Sequence, residues 1–216
     1  MVAIGVMLTV SIHTVNHSAL AYFGQALDTV NGQTSAQLLA PLGEMNDRQI
    51  DLWTERKHQL GIQNISPVLV IPTDQLTILG LDFFKAGVVS PSLMPQVANN
   101  KNDLFDERSL FLSAPALKAL GVVVGQSVSL QFASLRVTLT VKGELPSVST
   151  QSLGVMDIGS AQWVFNRLGV VSRLDLQLED WQTVDGLREA LELMPDKLQL
   201  VTTQDRERRM SSLSRA

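Results

Sequence analysis

The sequence predicts an α+β fold with two lobes: a mixed α/β lobe with an inserted small β-rich lobe, preceded by a long helix that is the end of a transmembrane helix. Three observations lead to this prediction. The first 27 residues carry no Asp, Glu, Lys or Arg, the segment 90–103 interrupts all periodicity, and strand-like and helix-like runs alternate after residue 149. With 216 residues, 45% of them apolar, the chain is long enough to close a hydrophobic core.

The N-terminal segment opens with MVAIGVMLTVSI, in which nearly every residue is apolar. A membrane span requires about 20 such residues, so this run is too short to cross a bilayer alone. A signal peptide would carry a basic residue before its apolar core, and none precedes Val2, although Ala19-Leu20-Ala21 resembles a cleavage site. Apolar residues instead keep a helical spacing through that site to Val30. We therefore interpret residues 1–19 as the outer end of transmembrane helix 1.

Residues 20–90 are predicted to form the first part of the α/β lobe. Asn31-Gly32 and Gly61 end helices, because Asn and Gly tolerate the left-handed conformation. Thr73-Asp74 separates two runs rich in β-branched residues and leucine, which is typical of two strands joined by a turn. The predicted elements are the end of the first helix, a strand at residues 34–42, a helix from Asn46 or Asp47 to about Leu60, and strands at residues 65–72 and 75–81.

Residues 91–148 are predicted to form the inserted β-rich lobe. The segment SPSLMPQVANNKND, residues 90–103, contains two prolines and several amides, as a linker would. Apolar and polar residues then alternate at residues 127–132 and 136–142, on either side of Ala133-Ser134, which indicates a hairpin with one buried face. A short strand at residues 110–112 and a helix at residues 114–120 precede it. We expect this segment to fold as a sheet of its own.

Residues 149–203 are predicted to complete the α/β lobe. Asp157 can accept the first free amides of a helix that Gly169 ends, and Thr183 or Asp180 can begin the next helix. Strands and helices that alternate in this way build an α/β layer. The predicted order is a strand at residues 155–156, a helix at residues 158–168, a strand at residues 174–178, a helix at residues 183–193 and a strand at residues 198–202.

Composition and charge exclude several classes of function. The net charge is −4 and the isoelectric point is near 5.3, and no stripe of lysine or arginine is present. A nucleic-acid partner would require a cationic surface, so we predict none. The chain has no cysteine, which excludes a disulfide framework and thiolate metal sites.

No motif in the sequence assembles a catalytic or metal site. His13 and His17 lie four residues apart, but no nearby Asp, Glu or Cys supplies a third ligand. The segment GVVVG, residues 121–125, lacks the Lys and Ser/Thr of a phosphate loop, and there is no G-x-S-x-G elbow. We therefore predict no enzymatic activity, no cofactor and no bound metal. The loosely clustered acidic residues are assigned to solvated loops: Asp74, Asp82, Asp103, Asp106 and Glu107.

Apolar residues beside the predicted lobe boundary are the candidates for contact with a partner. They follow the strand at residues 75–81 and lie beside the lobe boundary, so we expect them to line an exposed groove. The three tryptophans are assigned to the core, and Trp163 is expected to pack with Phe165 and Leu168 between a helix and the sheet. The five groove residues are Phe83, Phe84, Val88, Val89 and Leu93.

Four stretches, taken in order, carry a resemblance to a known family. They are SALAYFGQALDTVNGQ (residues 18–33), SPVLVIPTDQLTILGLD (66–82), LFLSAPALKALGVVVGQSVSLQFASLRVTLTVKGEL (110–145) and MDIGSAQWVFNRLGVVSRLDLQL (156–178). Together they resemble the MacB-type periplasmic core domain of FtsX-like ABC transporter permeases. Each stretch is a packing pattern and none is a catalytic signature, so the resemblance depends on their order beside a membrane-like segment.

The resemblance implies a domain between the first two transmembrane helices of a bacterial inner-membrane permease, facing the periplasm or the cell exterior. Residues 204–216 would then form a juxtamembrane helix that leads to transmembrane helix 2. The implied partners are the membrane, a cytoplasmic ABC ATPase, a second permease copy or homologue, and a lipoprotein, lipid, peptide or periplasmic accessory protein. Motion driven by ATP would reach the domain through residues 1–30 and 204–216.

A second function remains open from the sequence alone. A membrane-tethered ligand-binding or sensor domain would have the same composition and the same apolar N-terminal segment. Such a domain would hold its ligand in a pocket between the lobes. Tight binding of one small metabolite would favour this alternative.

Overall fold

The computed structural model describes residues 34–40, 43–96, 101–146, 151–192 and 198–202. The first predicted helix, the tail at residues 204–216 and the pair His13 and His17 lie outside these ranges. None of the described helices is long and apolar enough to cross a membrane. Within the described residues there are eleven strands and five α-helices.

The strands are β1 (Ala36–Leu39), β2 (Met45–Asn46), β3 (Ile62–Pro72), β4 (Thr77–Leu81), β5 (Ser109–Leu112), β6 (Ser127–Phe132), β7 (Leu135–Glu144), β8 (Leu153–Asp157), β9 (Val170–Val171), β10 (Arg173–Leu178) and β11 (Gln199–Val201). The helices are α1 (Arg48–Arg56), α2 (Phe83–Val89), α3 (Ala114–Leu120), α4 (Ile158–Val164) and α5 (Val184–Glu192). Short 3₁₀ helices occupy Pro91–Leu93 and Lys101–Phe105.

Nine strands form one mixed sheet in the order β11-β1-β10-β3-β4-β8-β5-β7-β6, and β2 pairs with β9 separately. The pairs β4–β8 and β5–β7 are parallel, and the other pairs are antiparallel. Parallel pairs require crossover connections, and the chain provides them with the segments that contain α2 and α3. The predicted mixed α/β class is confirmed.

Both faces of the sheet are buried over its centre. Successive side chains of β3 and β4 point to opposite sides, and each side is covered by helices. Val68 and Leu81 pack with Phe83 and Ala86 under α2. Their neighbours Leu69, Ile71 and Ile78 pack on the other face with Ala116 of α3 and Ala161 of α4. The third cluster joins β1 and β10 to α5 and to Trp53 of α1. This double coverage explains why β3 and β4 read as nearly continuous apolar runs.

The inserted segment extends the main sheet, which corrects the expectation that it forms a sheet of its own. In the sequence this segment lies between β4 and β8, two strands that pair with each other, so it is an insertion as predicted. However, β8 pairs along its whole length with β4 and also pairs with β5 through Val155 and Phe111. β5 pairs with β7 on one side, and β8 supplies hydrogen bonds to its other side, which would otherwise be an open edge. The domain limits 20–90, 91–148 and 149–203 remain a prediction.

The edge strand β6 contacts the turn between β3 and β4. The backbone N–H of Gln131 donates to the carboxylate of Asp74 at 2.8 Å, and the Asp74 N–H donates to the Gln131 carbonyl oxygen at 3.0 Å. Behind this contact the rings of Phe132 and Phe165 meet edge to face at 5.9 Å. The turn therefore covers part of the outer edge of β6, which protects an edge strand from pairing with another chain.

Several local predictions are confirmed and some element limits are corrected. Asp157 accepts from the Ser160 N–H at 3.0 Å, and Thr183 accepts from the Gly186 N–H at 3.0 Å, so both predicted caps form. The helix predicted at residues 158–168 ends at Val164, because the chain turns there to bury the Phe165 side chain. The sequence reasoning did not predict α2 or the β2–β9 pair.

We predict that Gly80→Ala lowers the free energy of unfolding by about 1–3 kcal/mol, because the new methyl group overpacks the contact between β4 and α4. A Cβ atom at residue 80 would lie 2.8 Å from the Ala161 Cβ, which has no freedom to move aside. Urea denaturation of the full chain measures the change. Gly87→Ala is the matched control, since the nearest atom lies 3.9 Å away. In a helix this control should stabilise by about 0.5–1 kcal/mol. Equal stability of the two variants would contradict the packing argument.

We also predict that the contact between the β3–β4 turn and β6 weakens in acid. The Gln131 N–H lowers the pKa of Asp74 most, while the Gln75 side chain and the Arg136 charge act in the same direction and desolvation opposes them. A pKa lowered by folding gives stability that is present above the unfolded value of about 3.9 and is lost as pH falls through the folded value. Asp74→Ala should therefore lower the urea midpoint at pH 7 by an amount that shrinks on acidification. Asp74→Asn keeps an acceptor without the charge and isolates the titration. A difference that grows as pH falls would contradict the prediction.

Candidate functional site

The described chain enters and leaves the fold at one edge of the sheet. β1 and β11 are antiparallel neighbours, with Gln37 opposite Val201 and Leu39 opposite Gln199. Opposed residues of such a pair have Cα atoms about 4.5–5.5 Å apart. The start of β1 and the end of β11 therefore lie side by side, so the segments before residue 34 and after residue 202 attach at adjacent points.

The point where the chain enters is tied to two other elements. The Thr34 hydroxyl donates to the Val89 carbonyl oxygen at 3.2 Å and lies 3.0 Å from the Ser90 hydroxyl. The Ser35 N–H donates to the Leu176 carbonyl oxygen at 2.8 Å, and the Ser35 hydroxyl accepts from the Leu178 N–H at 3.3 Å. A displacement of the chain at residue 34 would thus reach the C-terminal end of α2 and the strand β10 directly.

A buried ion pair lies on β10 close to this edge. The Arg173 Nε atom is 2.8 Å from Asp175 Oδ1, and both side chains are buried. Asp175 is opposite Gln37 of β1 and Ser66 of β3, so polar side chains share one face of three adjacent strands. Sequence reasoning missed the pair. The available signal was the strict alternation of polar residues (Arg173, Asp175 and Gln177) with leucines along the strand.

The helix α2 presents one buried and one exposed side. Asp82 begins the helix by accepting from the Phe84 and Lys85 N–H groups at 3.1 and 3.2 Å. Phe83, Ala86 and Val89 then lie on the side that faces the sheet and are buried. Phe84 and Val88, four residues apart, lie on the opposite side with 79% and 49% of their surfaces exposed.

The predicted groove is therefore corrected in part. Phe84 and Val88 are exposed as expected, whereas Phe83, Val89 and Leu93 belong to the core and line no surface. The sequence showed an apolar run but not its helical phase, because the run is only two turns long. Whether the two exposed residues contact a partner stays a prediction.

Phe105 completes an aromatic surface that the sequence reasoning did not find. Its ring stacks on Phe84 with centroids 5.4 Å apart and planes 17° apart, and 46% of its surface is exposed. The same ring meets buried Phe83 edge to face at 6.1 Å, and Phe83 meets buried Phe111 at 6.3 Å. Contacts of this kind hold the rings in place. We call Phe84, Val88 and Phe105 the aromatic surface.

The border of the aromatic surface is acidic near Phe105. Asp103 and Asp106 both lie within 3.5–3.8 Å of the Lys142 ammonium group, and the exposed Glu107 follows in sequence. On the α2 side Asp82 and Lys85 form a neutral pair at 3.6 Å. Residues 103–107 together with Lys142 therefore carry three carboxylates and one ammonium group, a net charge of −2.

The described residues contain no group of three His, Cys, Asp or Glu side chains that would hold a metal ion. His58 is exposed at the end of α1. Of the acidic residues predicted to lie in solvated loops, Asp74 binds Gln131 and Asp82 caps α2, so both have structural roles. The absence of enzymatic activity stays a prediction.

Two of the three tryptophans contradict the prediction that they lie in the core. Trp53 of α1 is buried, but Trp163 and Trp181 are 62% and 67% exposed. Phe165 is buried as expected, while Leu168 is exposed. Trp163 lies in the last turn of α4 on the side away from the sheet, because Ala161 occupies the close contact with β4.

Comparison with known proteins gives matches to solved structures only, since no protein-family profile and no curated protein sequence matches this chain. The fold is similar to the extracellular domain of the noncanonic ABC-type transporter YknZ from Gram-positive bacteria, with a TM-score of 0.52, 11% identity, and coverage of 78% of this chain and 99% of that one. It is also similar to the periplasmic region of MacB from Actinobacillus actinomycetemcomitans, with a TM-score of 0.51, 11% identity, and coverage of 88% and 96%.

These similarities confirm the predicted fold, that of the MacB-type periplasmic core domain. Identities of 11% establish the fold alone. The role of the domain has to be argued from the geometry of this chain.

We predict that Asp175→Ala lowers the free energy of unfolding by about 3–5 kcal/mol, because it leaves the buried Arg173 charge without its partner. Replacing both residues, Arg173→Met with Asp175→Leu, should recover much of that loss. Asp185→Ala is the control, since it breaks an exposed pair with Arg188 and should cost about 1 kcal/mol or less. Thermal and urea unfolding measure all three. Similar losses in Asp175→Ala and Asp185→Ala would show that the ion pair on β10 is not buried as described.

Proposed function

We propose that this chain is the extracytoplasmic domain of an ABC transporter permease, in which it faces the periplasm or the cell exterior and passes ATP-driven motion outward. The observation that carries the proposal is the pairing of β1 with β11, which places the first and the last described residues, 34 and 202, at one edge of the sheet. A domain inserted between two neighbouring membrane helices requires this arrangement, because packed helices lie only about 8–10 Å apart.

The fold supports the same function. YknZ is named as an ABC-type transporter, and the two similar chains are its extracellular domain and the periplasmic region of MacB. The sequence before β1 also contains an apolar, uncharged run, as expected for a segment that follows a membrane helix. The proposed orientation puts the β1–β11 edge toward the membrane and the opposite end of the sheet away from it.

Motion would pass from the membrane helices through residue 34 into α2 and β10, and from there across the sheet. Thr34 is bonded to the end of α2, and Ser35 is bonded to β10 at two points. The sheet continues without interruption from β11 to β6. A force applied at the membrane edge would therefore move the inserted segment with the rest of the domain.

The proposed complex contains a cytoplasmic ABC ATPase that acts through the rest of the permease, together with a second permease copy or homologue. No catalytic residue is assigned to this domain. Its contact with an external partner is assigned to the aromatic surface, whose centre is apolar and rigidly held.

We predict that a flexible insertion at the membrane edge uncouples the domain from the ATPase. The chain has no cysteine, so in a transporter whose remaining segments are also free of cysteine, Leu168→Cys on an exposed site takes a single spin label in each copy. In the intact transporter, the distance between labels should change on ATP binding. A Gly-Ser insertion of about six residues between Gln33 and Thr34 should remove that change, because such a linker transmits little force.

The control is the same insertion between Val123 and Val124, two exposed residues in the turn before β6. It should leave the ATP-dependent change in place. A change that survives insertion before Thr34 would contradict coupling through this edge. A domain that shows no ATP-dependent change but binds one small metabolite tightly would instead be a tethered sensor.

A further inference from the structure

We propose that the aromatic surface binds a peptide segment of a partner protein in which an apolar side chain lies beside lysine or arginine. The proposal deepens the proposed function and rests on it for the placement of the surface outside the membrane. Three properties of the surface support it: its exposed apolar area, its rigidity and the charge at its border.

The apolar centre is larger than that of isolated exposed residues. Phe84 and Phe105 stack face to face, so their exposed surfaces are continuous, and Val88 lies one turn from Phe84 on the same side of α2. Single exposed apolar residues are common, whereas adjoining ones mark interaction sites. Aromatic residues are also the side chains that most often dominate binding energy at protein interfaces.

The surface is ordered before a partner arrives. The Phe105 ring contacts buried Phe83 as well as Phe84, and Phe83 contacts buried Phe111. Asp82 fixes the first turn of α2 through two backbone hydrogen bonds. Because these rings lose little freedom on binding, an apolar anchor residue would bind here at a low entropic cost.

The border selects the charge of the partner. Three carboxylates, Asp103, Asp106 and Glu107, adjoin Phe105 in sequence, and among the described residues only Lys142 opposes them with an ion pair. The neighbouring Arg108 donates to the Thr138 carbonyl oxygen at 3.1 Å on β7. A lysine or arginine beside the apolar anchor would meet this net negative border, which favours encounter with cationic segments.

The same charge disfavours the other two occupants of an apolar surface. Anionic lipid headgroups would be repelled by the carboxylates. A second copy bound through a two-fold axis would bring two identical acidic borders together, and like charges across an interface are unfavourable. A cationic apolar peptide segment is therefore the occupant that the surface fits.

The test uses the full 216-residue chain and two short fluorescent peptides. Both peptides alternate Leu and Trp with charged residues, which are lysine in one and glutamate in the other. We expect the lysine peptide to bind about tenfold more tightly by fluorescence anisotropy.

Phe84→Ser with Phe105→Ser should weaken binding of the lysine peptide about tenfold, while Val123→Ser, which removes a comparably exposed apolar side chain elsewhere, should not. Glu107→Lys removes the net negative charge of the border and should largely remove the preference for lysine.

Three results would overturn the proposal. These are equal or absent binding of the two peptides, binding of the chain to phosphatidylglycerol vesicles that Phe84→Ser abolishes, and a concentration-dependent dimer that Phe84→Ser dissociates. If the double phenylalanine variant fails to fold, Glu107→Lys and the glutamate peptide still decide the question. Because binding is measured without the transporter, its failure leaves the spin-label test of the proposed function unaffected.

Discussion

The backbone hydrogen bonds of β8 hold the nine-stranded sheet together, since this strand pairs with β4 on one side and with β5 on the other. Ser113, which begins α3, strengthens the junction. Its backbone N–H donates to the Leu153 carbonyl oxygen at 2.9 Å, and its hydroxyl accepts from the Leu153 N–H at 3.0 Å and donates to the Gln151 carbonyl oxygen at 2.7 Å. Separating the two halves of the sheet would leave these buried groups without partners, which is costly.

This junction determines how the domain responds to force. In the proposed function, a hinge between two lobes would absorb movement of the membrane helices, whereas a continuous sheet would pass it on. The contact between Asp74 and Gln131 adds a second connection between the β3–β4 turn and β6, and the core cluster behind it contains residues from both sides of the junction. Thr34 connects the β1–β11 edge to the end of α2, so the helix that carries Phe84 is bonded to the edge at which we propose that motion enters. The β1–β11 edge and the aromatic surface thus belong to one rigid unit.

Much of this fold could be predicted from the sequence because its signals are local. The β6–β7 hairpin shows clean alternation, the β3–β4 turn lies between two apolar runs, and Asp157 begins a helix where its pattern requires a cap. The pairing of β8 with both β4 and β5 could not be predicted, because it joins segments far apart in the chain and depends on no residue pattern of its own. The same limit applies to the aromatic surface: Phe105 lies between acidic residues that resemble a loop, and only the fold brings it onto Phe84.

The central claim, that the sheet is a single cooperative body, is tested most directly by native-state hydrogen exchange. If β8 unites the sheet, amides of β5 and β7 should exchange only through global unfolding, with the same free energy and the same denaturant dependence as amides of β3 and β4. If β5, β6 and β7 instead exchange through a separate opening of lower free energy, while β3 and β4 stay protected, the inserted segment is an independent lobe and the account of rigid transmission is wrong.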